Sequence, residues 1–226
     1  DDPPRVAPQA ERRPGADTLA LRALDAFDKF FTDLYDACEA MDIDADTAIS
    51  EAGPGQFEIN LLHSDDVLKV ADDAWLFKML VKGLARRHGF AASFMAKPYD
   101  NWPGNGMHLH FSMINEDGKN VFDDGSPEGS AILKQAVAGC LDGMADTMLL
   151  LAPHANSYDR MVPGAHAPTG ICWSYENRTA ALRIPSGSPK VRRIEHRVSG
   201  GDINPYLMIA GVLGTALIGI EDRLTP

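Results

Sequence analysis

Residues 104–112 have the sequence GNGMHLHFS. The fold class is predicted from this stretch, near the middle of the chain, together with the elements on either side of it. Between positions 108 and 112, polar histidine and serine side chains alternate with leucine and phenylalanine. Because successive side chains of a strand point to opposite faces, the alternation predicts a half-buried strand over residues 107–114. The glycines before this strand let a ligand approach the backbone closely.

Further elements flank this strand on both sides. Spaced apolar residues predict helices over 24–38, 65–88 (with Ser64 as N-cap), 130–151 and 204–220. Strands are predicted over 47–62, either as a strand pair or as one long strand bent at Gly53-Pro54-Gly55, and over 91–96, 171–175, 180–184 and 193–198. Hairpin connections favour an α+β domain, one mixed and mainly antiparallel sheet with long helices packed against it, over a parallel doubly wound fold. Residues 1–16 show no periodic apolar pattern and are predicted to form a flexible loop or tail.

Composition and charge exclude several classes of protein. The 226-residue chain has a formal net charge of −11, which argues against a nucleic-acid-binding surface. No apolar run reaches the about 18 residues that a membrane-spanning helix needs. Cys38, Cys140 and Cys172 form no C-x-x-C pair, so neither a thiolate zinc site nor a disulfide framework is indicated. A reducing cytoplasm is the expected compartment.

Two glutamates near the Gly-Pro-Gly bend are candidate metal ligands. Glu58 shares the polar face of its strand with Gln56 and Asn60, and Glu51 lies just before the bend. Two carboxylates at one sheet edge suit Mg²⁺, which prefers oxygen ligands. The alternative is an ordinary solvated strand face.

The strand at 107–114 carries a second candidate group. His108 and His110 project to one side, with Ser112 further along the same face. They are interpreted either as ligands of a metal or phosphate, or as two partly buried, hydrogen-bonded histidines.

Arginines are concentrated in the last third of this acidic chain. The set comprises Arg160, Arg178, Arg183, Arg192, Arg193 and Arg197. Guanidinium groups bind phosphate and carboxylate through paired hydrogen bonds, so this region is a candidate anion site; surface salt bridges are the alternative. Together with Glu195, the acids, histidines and arginines fit phosphoryl-transfer chemistry.

Five motifs together resemble the glutamine synthetase family. They are EAGPGQFEIN at 51–60, FMAKP at 94–98 with GMHLH at 106–110, NRTAALRIP at 177–185, RRIEHR at 192–197 and NPYL at 204–207. They occur in the family's order and spacing from about residue 17 to the end of the chain. The resemblance implies the α+β catalytic domain of that family over residues 17–226, with a curved sheet.

The resemblance also implies the metal sites. Glu51 and Glu58 would hold one divalent cation, and His108 and Glu195 another. The expected cations are Mg²⁺ or Mn²⁺, two or more per site.

The organic substrates follow from the same resemblance. Arg160 and Arg197 would hold glutamate, together with backbone near Gly104, while Arg178 and Arg183 would face the phosphates and the reacting group. His110, Ser112 and Lys190 would line the nucleotide side. In such enzymes glutamate attacks the γ-phosphate of ATP to give γ-glutamyl phosphate, and an amine then displaces phosphate. The full-length protein is expected to be a large homo-oligomer, by resemblance a double-ring dodecamer.

Two departures from the family pattern matter. The family's small N-terminal domain, its E-x-E strand and its C-terminal extension are expected outside this sequence, so the 226-residue piece by itself is expected to be inactive and to bind Mg²⁺ and ATP weakly. In addition, His166 stands where the family has a flap glutamate that binds ammonium.

A histidine supplies no negative charge for ammonium. The stretch 171–179, which includes Trp173 and Tyr175, resembles the γ-glutamylpolyamine synthetase branch, so a polyamine or another alkyl amine is the expected acceptor. An authentic glutamine synthetase that uses ammonium is the alternative. A non-catalytic structural member of the fold is the second alternative, although all four metal ligands expected in this segment are present.

Overall fold

In the structure, the residues on both sides of Gly53-Pro54-Gly55 form a hairpin of two antiparallel strands. The structure is a computed structural model that describes residues 18–226. The predicted tail at 1–16 lies outside the described residues. The chain divides into two compact units, Asp1–Gly104 and Asn105–Pro226. Both contain helices and antiparallel strands, so the α+β class is confirmed. Within residues 18–226, no helix is both long and apolar enough to cross a membrane.

The first unit packs helices against a hairpin. Its elements are α1 (Leu21–Asp25), α2 (Asp28–Ala40), β1 (Ala45–Ser50), β2 (Phe57–Leu61) and α3 (Val67–Arg87). Strands β1 and β2 pair antiparallel, with Ile49 opposite Glu58. Apolar residues alternate inward along β2, and edge-to-face contacts of Phe27, Phe30, Phe31, Phe57 and Phe90 fill the core beside them.

Two details of the first unit differ from prediction. Asp66, rather than Ser64, is the N-cap of α3, because its carboxylate accepts hydrogen bonds from the backbone N–H groups of Leu68 and Lys69. The strand predicted at 91–96 is wrong: those residues have no ladder partner among the described residues and follow α3 as an irregular segment.

The second unit contains a four-stranded sheet. Its elements are β3 (Leu109–Phe111), α4 (Ala131–Asp142), α5 (Met148–Leu151), a 3-10 helix (Ala155–Arg160), β4 (Trp173–Tyr175), β5 (Leu182–Ile184), a second 3-10 helix (Pro189–Val191), β6 (Ile194–His196) and α6 (Pro205–Glu221). The strand order is β3-β6-β5-β4, in which only the β4–β5 pair of this sheet is parallel. Strand pairing is thus mixed and mainly antiparallel, as predicted. The described strands form two sheets, however, where one sheet was expected.

Helices α4 and α6 cross at close range in this unit. A Cβ atom at Gly139 would lie 2.1 Å from the carbonyl oxygen of Thr215 and 2.7 Å from Cα of Gly219, so only glycine permits this approach. The single helix predicted over 130–151 is interrupted, because α4 ends at the C-cap Gly143 and a turn precedes α5.

Candidate active site

The register of three neighbouring strands places charged residues around Glu195. In this register His110 of β3 lies opposite Glu195 of β6, and Arg183 of β5 lies opposite it on the other side. Directly opposed residues of antiparallel strands share a face of the sheet. Glu195 is 2% exposed, so the cluster is built around a buried carboxylate.

The Glu195 carboxylate is bound from several directions. Arg183 Nη1 donates to its Oε2 at 2.7 Å, and Arg197 Nη1 donates to its Oε1. His108 Nδ1 lies 3.2 Å from Oε1, and His110 Nε2 lies 3.9 Å from the same oxygen. Both carboxylate oxygens therefore have cationic or hydrogen-bonding partners, as a buried charge requires.

The ionisation of Glu195 is decided by these partners. Burial acts to raise the pKa of Glu195, but the hydrogen bond with His108 and the charges of Arg197 and Arg183 outweigh it and hold the pKa well below its ordinary 4.5. Glu195 is thus a carboxylate throughout the physiological range.

His110 is oriented by an arginine that had no assigned role in the sequence. Arg193 Nε donates to Nδ1 of His110 at 3.0 Å, which leaves the ring proton on Nε2. Burial lowers the pKa of His110 to about 4 against the opposing effect of Glu195, so the ring is neutral near pH 7. Ser112, predicted to act beside it, is exposed just beyond the end of β3.

Arg160 lies next to this cluster at the end of the first 3-10 helix. It is 5% exposed, and its Nη2 donates to the backbone carbonyls of Val198 and, at 2.9 Å, Ser199. A side chain at Gly106 would lie 3.3 Å from Nη1 of Arg160 and 3.1 Å from Nε2 of His108. These two groups therefore converge on the backbone of one glycine. Burial, reinforced by Arg197, lowers the pKa of Arg160 to about 10, which leaves it charged.

Three guanidinium groups of the cluster keep a donor atom unused. Among the described residues, the Nε atoms of Arg160, Arg183 and Arg197 are buried without a hydrogen-bond partner. Arg183 and Arg197 share the buried carboxylate of Glu195, and Glu176 adds a half-exposed contact with Arg183 at 3.3 Å. Such an arrangement suits an anionic ligand.

Three predicted site residues lie with their side chains at the surface. Arg178 is exposed between β4 and β5, and Lys190 is exposed in the second 3-10 helix. His166 is also exposed and adopts a left-handed φ of 51°. Its backbone carbonyl accepts a hydrogen bond from Arg197 Nη2 at 3.3 Å, so the main chain of His166, rather than its ring, contacts the cluster.

The other predicted residues belong to the first unit. Glu51 follows β1, and its N–H donates to the carbonyl of Gln56 at 2.9 Å. Since Glu51 thus pairs with Gln56 and Glu58 lies two residues further along β2, both glutamates lie on one face of the hairpin. The Gln56 amide donates to the carbonyl of Gly104 at 2.9 Å, which ties Gly104 to the bend. Convergence of Glu51 and Glu58 with His108 and Glu195 stays a prediction.

The donor set for a metal is partial. Within residues 18–226, no group of three or more His, Cys, Asp or Glu side chains is placed to hold a metal ion. His108 nevertheless has its Nδ1 on a carboxylate and its Nε2 towards Gly106, the orientation that metal-binding histidines adopt. Glu195 binds arginines through both oxygens, so direct coordination by Glu195 requires it to exchange one of them.

Several residues of this region were missed by the sequence reasoning. Glu176 contacts Arg183, and Asp202 binds the start of the 3-10 helix that carries Arg160. Glu176 stands inside the quoted stretch 171–179, and Asp202 stands two residues before NPYL, but neither position shows a local pattern that indicates its contacts.

Comparison with known proteins identifies relatives of this chain. The family model "Glutamine synthetase, catalytic domain" matches residues 3–226. A gamma-glutamylputrescine synthetase of Escherichia coli K12 is 43% identical over 98% of the chain and 47% of its own length. A glutamine synthetase of Thermococcus kodakarensis is 41% identical over 78% of the chain and 39% of its own length. A solved structure of a GmaS/ADP complex matches with a TM-score of 0.85 at 31% identity, covering 97% of the chain and 51% of its own. The chain spans about half the length of the relatives it matches.

Proposed function

The chain belongs to the glutamine synthetase family, through the catalytic domain, and on that premise we propose that the protein ligates an amine to the γ-carboxylate of glutamate at the expense of ATP. The observation that carries the proposal is the pairing of Arg183 and Arg197 with the buried carboxylate of Glu195, with the buried Arg160 next to them. The unused donors of these arginines fit glutamate carboxylates and phosphate, both of which are anions that guanidinium groups bind through paired hydrogen bonds.

Each arginine has a role within this proposal. Arg160 and Arg197 hold glutamate, with Gly104 contributing backbone. Arg183 and the exposed Arg178 meet the phosphates and the transferring phosphoryl group, whose negative charge they stabilise. The nucleotide side comprises His110, Ser112 and Lys190. Because Arg193 leaves a proton on Nε2 of His110, that ring presents a neutral hydrogen-bond donor.

Divalent cations belong to the same proposal. Glu51 and Glu58 hold one Mg²⁺ or Mn²⁺, and His108 holds another through Nε2, with Glu195 as its carboxylate partner. When bound, these cations neutralise the phosphate charge of ATP. The protein residues themselves orient glutamate and keep the ring proton of His110 on Nε2.

An alkyl amine or polyamine is the proposed acceptor. This proposal is supported by the histidine at position 166, where by resemblance the family has a flap glutamate, and by the similarity to a gamma-glutamylputrescine synthetase. The similarity to a glutamine synthetase makes ammonium the second candidate.

The test is an acceptor assay of the full-length protein with glutamate, ATP and Mg²⁺. Ammonium, putrescine and ethanolamine are compared by kcat/KM, with phosphate release and γ-glutamyl product measured in parallel. We expect an amine larger than ammonium to give the highest value. A higher value for ammonium assigns the protein as a glutamine synthetase instead, and the absence of glutamate-dependent phosphate release with every amine identifies a non-catalytic member of the fold.

A pair of variants tests the cluster itself. Arg197→Gln removes a guanidinium from Glu195, whereas Arg86→Gln removes an exposed one from the last turn of α3. We expect Arg197→Gln alone to raise the KM for glutamate. Equal effects of the two substitutions contradict the assignment of the cluster to substrate binding.

A further inference from the structure

A second polar cluster lies behind Arg160, outside the site described above. Asp202 Oδ2 accepts a hydrogen bond from Ser157 Oγ at 2.7 Å and contacts His154 Nδ1 at 2.9 Å. The backbone N–H of His154 in turn donates to Ser157 Oγ at 3.2 Å. Ser157 and His154 thus both bind one oxygen of Asp202, which excludes a relay in which the histidine activates the serine.

This cluster is largely buried and only partly satisfied. Ser157 is 1% exposed and the Asp202 side chain 9%. Asp202 Oδ1 is buried without a hydrogen-bond partner among the described residues, as is Nε of Arg160. A buried carboxylate that keeps one oxygen unpaired costs free energy, so its retention calls for a role beyond packing.

The position of the cluster indicates that role. Asp202 binds His154, the N-cap of the 3-10 helix Ala155–Arg160, and Ser157 in its first turn. The helix ends at Arg160, whose Nη2 binds the carbonyls of Val198 and Ser199. Both ends of this short helix are therefore attached to one segment, residues 197–202. A six-residue helix held at two points has little freedom to rotate the side chain at its end.

We propose that Asp202 is a positioning residue for Arg160: by binding His154 and Ser157 it fixes the start of the 3-10 helix that ends at Arg160, and so fixes where the Arg160 guanidinium lies. The inference rests on the proposed function, in which Arg160 holds glutamate. Asp202 also favours the charged form of Arg160 against burial and Arg197, in agreement with this geometry.

The test uses Asp202→Asn in the full-length protein. The amide oxygen can still accept one hydrogen bond from Ser157 or His154, so the substitution removes the charge with little change in shape. Asp159→Asn is the matched control, because Asp159 is an exposed carboxylate in the same 3-10 helix. Mutation of the residues that orient metal ligands typically lowers metal affinity by about 10- to 100-fold. By analogy with the lower end of this range, we expect Asp202→Asn to raise the KM for glutamate about tenfold.

The KM for ATP separates positioning from general destabilisation. For Asp202→Asn we expect the KM for glutamate to rise while the KM for ATP and the melting temperature stay close to wild type. Asp202→Glu, which restores the charge, should recover part of the loss. An unchanged KM for glutamate, or parallel changes in both KM values, overturns the proposal.

A crystal structure of Asp202→Asn keeps this test independent of the proposed activity. If the wild-type protein ligates no amine, the proposed function fails, but the structure of the variant still decides the position of Arg160. Displacement of its guanidinium from the carbonyls of residues 198 and 199 supports the inference. An Arg160 side chain in its wild-type place refutes it.

Discussion

Replacing Glu195 with glutamine should destabilise the second unit strongly. The substitution keeps the shape of the side chain and removes the one buried negative charge from Arg183 and Arg197. Removal of one partner of a buried ion pair costs about 3–5 kcal/mol, because the other charge stays buried and uncompensated. Glu195 is 2% exposed, so solvent screening does not reduce this figure, and a loss of at least about 3 kcal/mol is expected.

Urea denaturation followed by far-ultraviolet circular dichroism measures this loss. Glu176→Gln is the matched control, because Glu176 bonds the same Arg183 at 3.3 Å but has a side chain that is 48% exposed. Exposed ion pairs contribute little to stability because water screens them, so the control should lose little. Added sulfate should restore more stability to Glu195→Gln than to the control, since it offers a replacement anion. A loss equal to that of Glu176→Gln refutes the reasoning.

The same carboxylate predicts a dependence on pH. Because the pKa of Glu195 is lower in the folded protein than its ordinary 4.5, its contribution to stability is complete above that value and is lost as the pH falls through the lower folded pKa. Wild type should therefore lose stability below about pH 4.5 more steeply than Glu195→Gln. Parallel curves for the two proteins over this range contradict the assigned shift.

Four further substitutions test other parts of the structure. Gly139→Ala should lower the stability of the protein by about 1–3 kcal/mol or more, because the new Cβ meets the Thr215 carbonyl. Gly83→Ala, in an exposed and open part of α3, should raise the stability by about 0.5–1 kcal/mol. Thermal melts of the two variants compare these effects. His166→Glu should raise kcat/KM for ammonium relative to kcat/KM for putrescine. If this ratio is unchanged, His166 does not determine the choice of acceptor. Lys134→Met should lower stability by about 0.5–1 kcal/mol through loss of the cation–π contacts, with a changed Trp173 fluorescence as the check.

Local patterns in the sequence were sufficient where the structure is itself local. The β1–β2 hairpin follows from the alternation on both sides of Gly53-Pro54-Gly55, and α6 begins at Pro205, one residue after the predicted start, with Asn204 as its N-cap. The run at 91–96 has the composition of a strand, but a strand also needs a ladder partner, which no local pattern specifies. The interruption of the helix at Gly143 was missed because a glycine within a helical pattern indicates a weak position without deciding a break.

The site shows the same division between local and long-range information. Alternation placed His108 and His110 on one strand face, but the pairing of His110 with Glu195 and of Glu195 with Arg183 depends on register between strands far apart in sequence. The burial of Arg160 also depends on carbonyls some 40 residues away, 39 in the case of Ser199. Sequence alone therefore indicated which residue types take part, without indicating which arginine binds which partner.

Stability alone does not explain why the chain keeps this charge cluster. A buried ion pair is often no better than well-packed apolar residues of the same volume, because desolvation offsets the Coulomb attraction. Here Arg183 and Arg197 share one buried carboxylate, and the Nε atoms of Arg160, Arg183 and Arg197 have no hydrogen-bond partner among residues 18–226. An anion that enters the cluster relieves both deficits at once, by adding negative charge and by accepting hydrogen bonds. These are the properties that the substrate site proposed above requires.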